Sequence, residues 1–161
     1  MIVIMGVSGC GKTTIGKQLA IQLSLPFYDA DAFHPTSNID KMKLNIPLND
    51  EDRKPWLMHL AQKMQLWEEQ GGAVLACSAL KESYRKLLAS KYNTITWVYL
   101  KGSFDAIKSR LEQREGHYMT SNLLQSQFDT LEVPKYGIHV DIENTPEQIV
   151  LNIISKLKTH G

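Results

Sequence analysis

The sequence predicts an α/β fold in which helices cover both faces of a parallel sheet. Short apolar runs alternate with segments of helical periodicity, and no repeat or linker interrupts the alternation. The 161 residues are enough for one domain with one core. We therefore expect a single domain over residues 1–161.

Five apolar runs have the length and composition of buried strands. They are Met1–Met5, a run beginning at Pro26, Ala73–Cys77, Ile95–Leu100 and the weaker Ile138–Ile142. Most of them read as continuous apolar stretches, which is typical of strands buried on both faces of a parallel sheet.

Apolar residues at three- and four-residue spacing predict helices between these strands. The stripes are Ile15/Leu19/Leu23, Trp56/Leu60/Met64/Trp67, Phe104/Ile107/Leu111 and Ile149/Ile153/Leu157. We expect Asp50 or Asp52 to cap the second helix. Thr145 is expected to cap the last one, with Gln148 completing a capping box.

Two polar segments, 34–52 and 114–122, do not fit the alternation. In α/β proteins, such insertions at the carboxyl ends of strands often form the site. We expect residues 34–56 to form a substrate-binding segment and residues 114–122 to form a lid.

Composition argues against several classes of partner. Lys and Arg number 18 against 17 Asp and Glu, so charge gives no reason to expect a nucleic acid or an anionic membrane. Two cysteines do not make a disulfide framework, and no apolar run approaches the roughly 20 residues of a membrane span. We expect a cytoplasmic protein.

The pattern G-x-x-x-x-G-K-[ST] fits residues 6–13. Its glycines let successive backbone N–H groups point at phosphate oxygens; Lys12 is expected to reach the β- and γ-phosphates and the Thr13 hydroxyl to bind Mg²⁺. The predicted nucleotide-binding residues are Gly6, Val7, Ser8, Gly9, Cys10, Gly11, Lys12, Thr13 and Thr14. GTPases, ATPases, sulfotransferase-like proteins and kinases share such a loop, so the loop alone does not choose among them.

Asp29 and Asp31 follow the second predicted strand. Residues i and i+2 of an extended chain face the same way, so one carboxylate can hold a metal-bound water while the other accepts a proton. A helix cap beside a solvated acid is the alternative. His34 either hydrogen-bonds a polyol or caps the turn at Pro35.

Cations cluster at three further places. Arg53 and Lys54 begin a helix, where positive charge opposes the helix dipole and favours an anionic partner; pairing with nearby acids is the alternative. Lys81 and Arg85 lie one turn apart after the third strand, on a face directed at substrate or at solvent.

The third place is the start of the expected lid. Arg110 and Arg114 stand one turn apart and can clamp a triphosphate, unless Glu112 and Glu115 balance them as exposed charges. His117 follows within the same segment and is a candidate substrate contact.

Eight stretches give the chain a resemblance to the gluconokinase family. They are GVSGCGKTT, DADAFHP, NIDKM, PLNDEDRKPW, CSALKESYR, YLKG, SRLEQREGHYM and QFDTLEVP, in family order from residue 6 to about residue 134. The resemblance implies phosphorylation of D-gluconate by ATP with Mg²⁺, and commonly a homodimer. It also implies a three-layer P-loop kinase fold with a five-stranded parallel sheet, similar to nucleoside monophosphate and shikimate kinases.

Carried onto this sequence, the resemblance assigns roles to particular residues. It makes Asp31 the base, places Asp29 near Mg²⁺ and gives Arg53 the substrate carboxylate, with adenine near residues 144–146. Together with the residue-level reasoning, this predicts Lys12, Asp31 and Arg114 as catalytic. The predicted substrate-binding residues are Asp31, His34, Arg53, Lys81, Arg85 and His117. Two alternatives stay open: a kinase of another small acceptor, shikimate-like or a sugar acid, and a nucleotide-dependent switch.

Overall fold

The computed structural model describes residues 1–91, 94–114 and 121–160, and its centre is a five-stranded parallel sheet in the order β2-β3-β1-β4-β5. The strands are β1 (Ile2–Met5), β2 (Phe27–Asp29), β3 (Val74–Ala76), β4 (Thr96–Lys101) and β5 (Ile138–Asp141). The predicted fold class is confirmed, and each strand lies within one or two residues of its predicted run.

Helices connect the strands. They are α1 (Lys12–Leu23), α2 (Thr36–Lys43), α3 (Asp50–Glu69), α4 (Glu82–Leu88), α5 (Phe104–Glu112), α6 (Ser121–Thr130) and α7 (Pro146–His160), with 3₁₀ turns at Ala30–Phe33 and Ala89–Lys91. The short α2 lies in a segment that sequence patterning left irregular. In the described residues, no helix is both long enough and apolar enough to cross a bilayer.

The two predicted helix caps had different outcomes. At α7, the Gln148 N–H donates to the Thr145 hydroxyl at 3.3 Å and the Thr145 N–H donates to Oε1 of the Gln148 side chain at 3.1 Å, as expected. At α3 the cap is Asn49, so the prediction of Asp50 or Asp52 was wrong. The Asp52 carboxylate instead accepts the Asn49 N–H at 3.0 Å, closing the box from within the helix.

Alternate residues of β1 feed two apolar cores on opposite faces of the sheet. Ile2 and Ile4 pack with α1 and α7 on one face, whereas Val3 and Met5 pack with α3 and α4 on the other. Burial on both faces explains the continuous apolar runs in the sequence.

The sheet also determines where polar groups meet. Strands β1, β2 and β3 run parallel, so the residues that follow them leave the same edge of the sheet. There the Gly6 N–H donates to the Ser78 carbonyl at 3.3 Å, joining the loop after β1 to the segment after β3. This edge carries the candidate site.

Candidate active site

The loop over residues 6–13 has backbone conformations that its glycines allow. Gly11 precedes α1 at φ +99°, and Gly9 adopts φ +82°. A Cβ on Gly9 would lie 2.8 Å from Leu111 Cγ, so this position has no room for a side chain. The loop therefore packs closely against α5.

Lys12 crosses back over this loop. Its ammonium donates to the carbonyls of Gly6 and Val7, both at 3.0 Å, which leaves one of its three N–H groups for a phosphate. The Val7 and Cys10 side chains are buried, so these two positions contribute mainly backbone. Burial raises the pKa of the Cys10 thiol, which therefore stays protonated.

The loop separates two cavities of similar size. The first, which we call the loop cavity, measures about 390 Å³ and is lined by Arg110, Arg114, Asn144 and Pro146 beside the loop. Arg110 is fixed there because its guanidinium donates to the Ile142 carbonyl. The structure thus brings both predicted arginines to the same cavity as the segment expected to hold adenine.

The second, the acid cavity, measures about 360 Å³ and lies between the loop and the two aspartates. Lys12, Thr13, Asp29 and Asp31 line it. Thr14 and Arg114 line both cavities, so a molecule in one lies next to a molecule in the other.

Asp29 organises this second cavity. Its Oδ2 accepts the Thr13 hydroxyl at 3.3 Å, and its Oδ1 accepts the Asp31 N–H at 3.0 Å. Asp31 lies in a 3₁₀ turn, so the extended-chain geometry expected for the pair was wrong, although both carboxylates reach the same cavity. The turn forms because Asp29 caps it.

The pKa of Asp31 is raised, first by desolvation within the cleft and second because Asp29 is negative beside it. The side chain itself is 87% exposed to the open cleft, so the shift concerns site chemistry and adds nothing to stability. A carboxylate with a raised pKa is better suited to accept a proton.

His34 is held towards Asp31 by two contacts. Its ring stacks on Trp56 with 4.0 Å between centroids, and its Nδ1 lies 3.2 Å from Asn38 Nδ2. Asn38 Nδ2 also donates to the Asp52 carbonyl at 3.0 Å, which identifies it as the amide nitrogen.

His34 Nδ1 therefore accepts a hydrogen bond and Nε2 carries the proton, 3.9 Å from Asp31 Oδ1. Burial lowers the pKa of His34, which favours this neutral form. Sequence reasoning missed Asn38, since an asparagine in a polar segment gives no sign that it will be buried.

Four polar side chains meet at the end of the cleft far from the loop cavity. The Asp50 carboxylate accepts the Tyr84 hydroxyl at 2.5 Å and Lys81 Nζ at 3.2 Å, and Arg53 Nη1 lies 3.2 Å from the Tyr84 hydroxyl oxygen. Hydrogen bonds from Tyr84 and Lys81 lower the pKa of Asp50. Arg53 and Lys81 thus retain a net positive charge beside a carboxylate that is fully ionised at neutral pH.

Arg53 and Tyr84 also line a smaller space of about 110 Å³, the arginine cavity. Ser78 and Gln127 line both this space and the acid cavity, so the two adjoin. Gln127 begins the stretch QFDTLEVP that carries the family resemblance, but sequence reasoning gave it no role in the site.

Arg85 does not face the cleft, and its prediction as a substrate ligand was wrong. The residue is 2% exposed, and all five of its N–H groups have protein acceptors. The acceptors are the carbonyls of Ala79, Leu80 and Glu132, the Glu82 carboxylate and the Tyr136 hydroxyl. Arg85 instead ties α4 to the chain that follows α6.

The expected lid falls largely outside the described residues. His117 is among residues 115–120, so its predicted substrate contact stays a prediction, as does the lid itself. Of the lid residues, Arg114 is placed at the boundary of the loop and acid cavities.

The oxygen atoms of Thr13 and Asp29 fit a hard divalent cation. Within the described ranges no three His, Cys, Asp or Glu side chains converge on one point. Mg²⁺ needs no such cage, because it usually takes one or two protein oxygens together with phosphate and water. A hydroxyl and a carboxylate beside a phosphate-binding loop have this composition.

Comparison with known proteins identifies the family. A family model described as shikimate kinase matches residues 8–158. The thermoresistant gluconokinase of Escherichia coli is 42% identical over 163 residues, covering 97% of this chain and 92% of its own. The gluconokinase of Gluconobacter oxydans is 43% identical over 157 residues, covering 95% and 88%. The chain belongs to the gluconokinase family.

A solved gluconokinase has the same architecture. The enzyme of Sinorhizobium meliloti superposes with a TM-score of 0.90 at 39% identity, covering 99% of this chain and 91% of its own. The resemblance stated from the motifs is therefore confirmed, as is the assignment of the chain as a P-loop kinase.

Proposed function

We propose that this protein transfers the γ-phosphoryl group of ATP to the C6 hydroxyl of D-gluconate, giving 6-phospho-D-gluconate and ADP. One observation carries the proposal: Asp31 and the phosphate loop line the same acid cavity, and this cavity adjoins the arginine cavity at Ser78 and Gln127. Relatives named gluconokinase at 42–43% identity support the choice of acceptor. We further propose that the enzyme works as a cytoplasmic homodimer.

ATP occupies the loop side of the cleft. Backbone amides of the loop over residues 6–13, other than the paired ones of Gly6, Ser8 and Cys10, hold the phosphates together with the N-terminus of α1, and the free N–H of Lys12 reaches the outer phosphates. The nucleoside lies in the loop cavity beside Arg110, Arg114 and Asn144.

Thr13 and Asp29 would hold Mg²⁺. When bound, the ion supplies positive charge that offsets the developing charge on the phosphate oxygens. Asp29 has a second role, because its other oxygen fixes the Asp31 backbone.

Gluconate occupies the acid and arginine cavities. Arg53 and Lys81 take its carboxylate, with the Tyr84 hydroxyl and Asp50 holding those cations in place. Asp31 accepts the proton of the C6 hydroxyl as the hydroxyl oxygen attacks the γ-phosphorus. His34 orients Asp31 or a substrate hydroxyl through its Nε2–H.

Arg114 completes the site from the boundary of the loop and acid cavities, where it offsets charge on the transferring group. Closure of the lid over residues 114–122 excludes water, which would otherwise compete as acceptor.

The function is tested by measuring ADP release with and without D-gluconate, and then with shikimate and other sugar acids at the same concentrations. Gluconate should stimulate release most. Stimulation by a different acid alone would reassign the acceptor. Nucleotide binding without stimulation by any acceptor would identify a nucleotide-dependent switch.

A further inference from the structure

Gln127 in α6 makes the longest-range side-chain hydrogen bonds to the phosphate loop among the described residues. Its Oε1 accepts the Ser8 N–H at 2.7 Å, and its Nε2 donates to the Ser8 hydroxyl oxygen at 3.0 Å. Ser8 and Gln127 lie 119 residues apart in sequence, so the contact joins α6 to the loop after β1.

The position of Ser8 indicates which part of the loop this contact holds. Ser8 lines the acid cavity with Lys12 and Asp31 but not the loop cavity, whereas Gly9, Gly11 and Thr14 line both cavities. Gln127 therefore holds the part of the loop that faces the acceptor, where the γ-phosphate must point for transfer.

The side-chain amide of Gln127 can make further hydrogen bonds. A glutamine side chain offers two donors and two acceptor lone pairs, and Ser8 uses one of each. Gln127 also lines the arginine cavity with Arg53 and Tyr84. The unused donor and acceptor are thus available at the junction through which an acceptor must pass.

Two neighbours on α6 give this junction a polar wall. Ser126 and Thr130 line the arginine cavity beside Gln127. The Thr130 hydroxyl donates to the Ser126 carbonyl at 2.8 Å and so presents its oxygen lone pairs outward. Such a wall suits an acceptor with several hydroxyl groups better than an apolar one.

We infer that Gln127 is a positioning residue that aligns the phosphate loop with a polyhydroxy acceptor, through Ser8 on one side and an acceptor hydroxyl on the other. The inference rests on the proposed function, since it requires an acceptor carrying hydroxyl groups in the acid and arginine cavities. It gives α6 a role in phosphoryl transfer that is separate from the roles of the phosphate loop, the two aspartates and the arginines.

The test replaces Gln127 by Leu and compares kcat, the gluconate KM and the affinity for a non-hydrolysable ATP analogue with Mg²⁺. Gln127→Leu should lower kcat/KM for gluconate about tenfold or more, because hydrogen bonds to loop and acceptor are both lost. Analogue affinity should stay within about threefold, because the other loop amides and Lys12 remain.

Gln125→Leu is the matched control. Gln125 lies on the same helix, and its amide donates to Asp129 of that helix at 2.8 Å, so this variant should behave as wild type. Gln127→Met repeats the loss of the amide and decides the outcome if Gln127→Leu does not fold.

Ser8→Ala tests whether Gln127 acts through Ser8. This variant removes the hydroxyl contact but keeps the backbone one, so its effect should be smaller than that of Gln127→Leu. The double variant should be no worse than Gln127→Leu alone, because the hydroxyl contact is then already lost.

Three results would overturn the inference. The first is a kcat/KM for gluconate within about twofold of wild type in the Gln127 variants. The second is a loss of analogue affinity as large as the loss of kcat/KM. The third is full additivity of the effects of Gln127→Leu and Ser8→Ala in the double variant. A wild-type enzyme that ignores gluconate would instead refute the proposed function, which this comparison therefore tests separately.

Discussion

The two ends of the cleft recognise their ligands by different means. At the nucleotide end, one continuous stretch of residues 6–13 supplies backbone amides, and a single side chain, Lys12, crosses it. At the acceptor end, side chains come from separate elements: Asp31 from a 3₁₀ turn, Arg53 from α3 and Tyr84 from α4. A site built from backbone depends on the glycines that allow its conformation, whereas a site assembled from distant side chains depends on each of those side chains.

Asp31→Asn should have the largest effect on turnover. The amide cannot accept the proton of the attacking hydroxyl, so kcat should fall by about 10² or more while the affinity for ATP changes little. Steady-state kinetics and calorimetric titration of nucleotide measure the two quantities. Near-normal turnover would exclude Asp31 as the base.

Arg85→Met should act on stability, not on recognition. Its removal takes the charged donor away from the carbonyls of Ala79 and Glu132, and we expect the free energy of unfolding to fall by about 3 kcal/mol. Denaturant unfolding measures this, with Lys86→Met, an exposed position on the same helix, as control. A stable Arg85→Met enzyme with a raised gluconate KM would restore the original prediction for Arg85.

Arg53→Met should raise the gluconate KM by about tenfold to a hundredfold, since a hydrogen bond to a charged group is lost. The affinity for ATP should stay unchanged. Lys54→Met provides the comparison, because Lys54 is exposed and lines none of the three cavities. Selective loss of nucleotide binding in Arg53→Met would contradict the division between the two ends.

The acidic limb of the pH profile should report the raised pKa of Asp31. The base works when deprotonated, so kcat should fall as pH drops through a value above the ordinary 3.8. The pKa values of Asp50 and Asp52 are lowered, so both stay ionised there and the acceptor end keeps its charges. Activity that holds down to about pH 4, near the ordinary Asp value, would contradict this expectation.

The difference between the two ends of the cleft also explains which features could be predicted from the sequence. The phosphate loop and the strands were predictable because their patterns are local: fixed spacing in the loop, continuous apolar runs in the strands. The α7 cap was predictable for the same reason, whereas at α3 several polar residues compete for the cap and Asn49 is used.

Contacts between distant parts of the chain gave no such signal. The spacing of Lys81 and Arg85 places them one turn apart but does not say which points inward, and Arg85 does. Asn38 reaches across 14 residues to Asp52, and Gln127 across 119 to Ser8. Tertiary packing decides these contacts, and neither periodicity nor motif spacing encodes it.

The position of the transferred phosphate tests the central claim most directly. The wild-type enzyme should be incubated with ATP, Mg²⁺ and D-gluconate, and the product examined by ³¹P and ¹³C nuclear magnetic resonance. The account predicts one phosphate ester whose phosphorus couples to C6, formed in equal amount to ADP. An ester at another carbon, or ADP released without an ester, would contradict it.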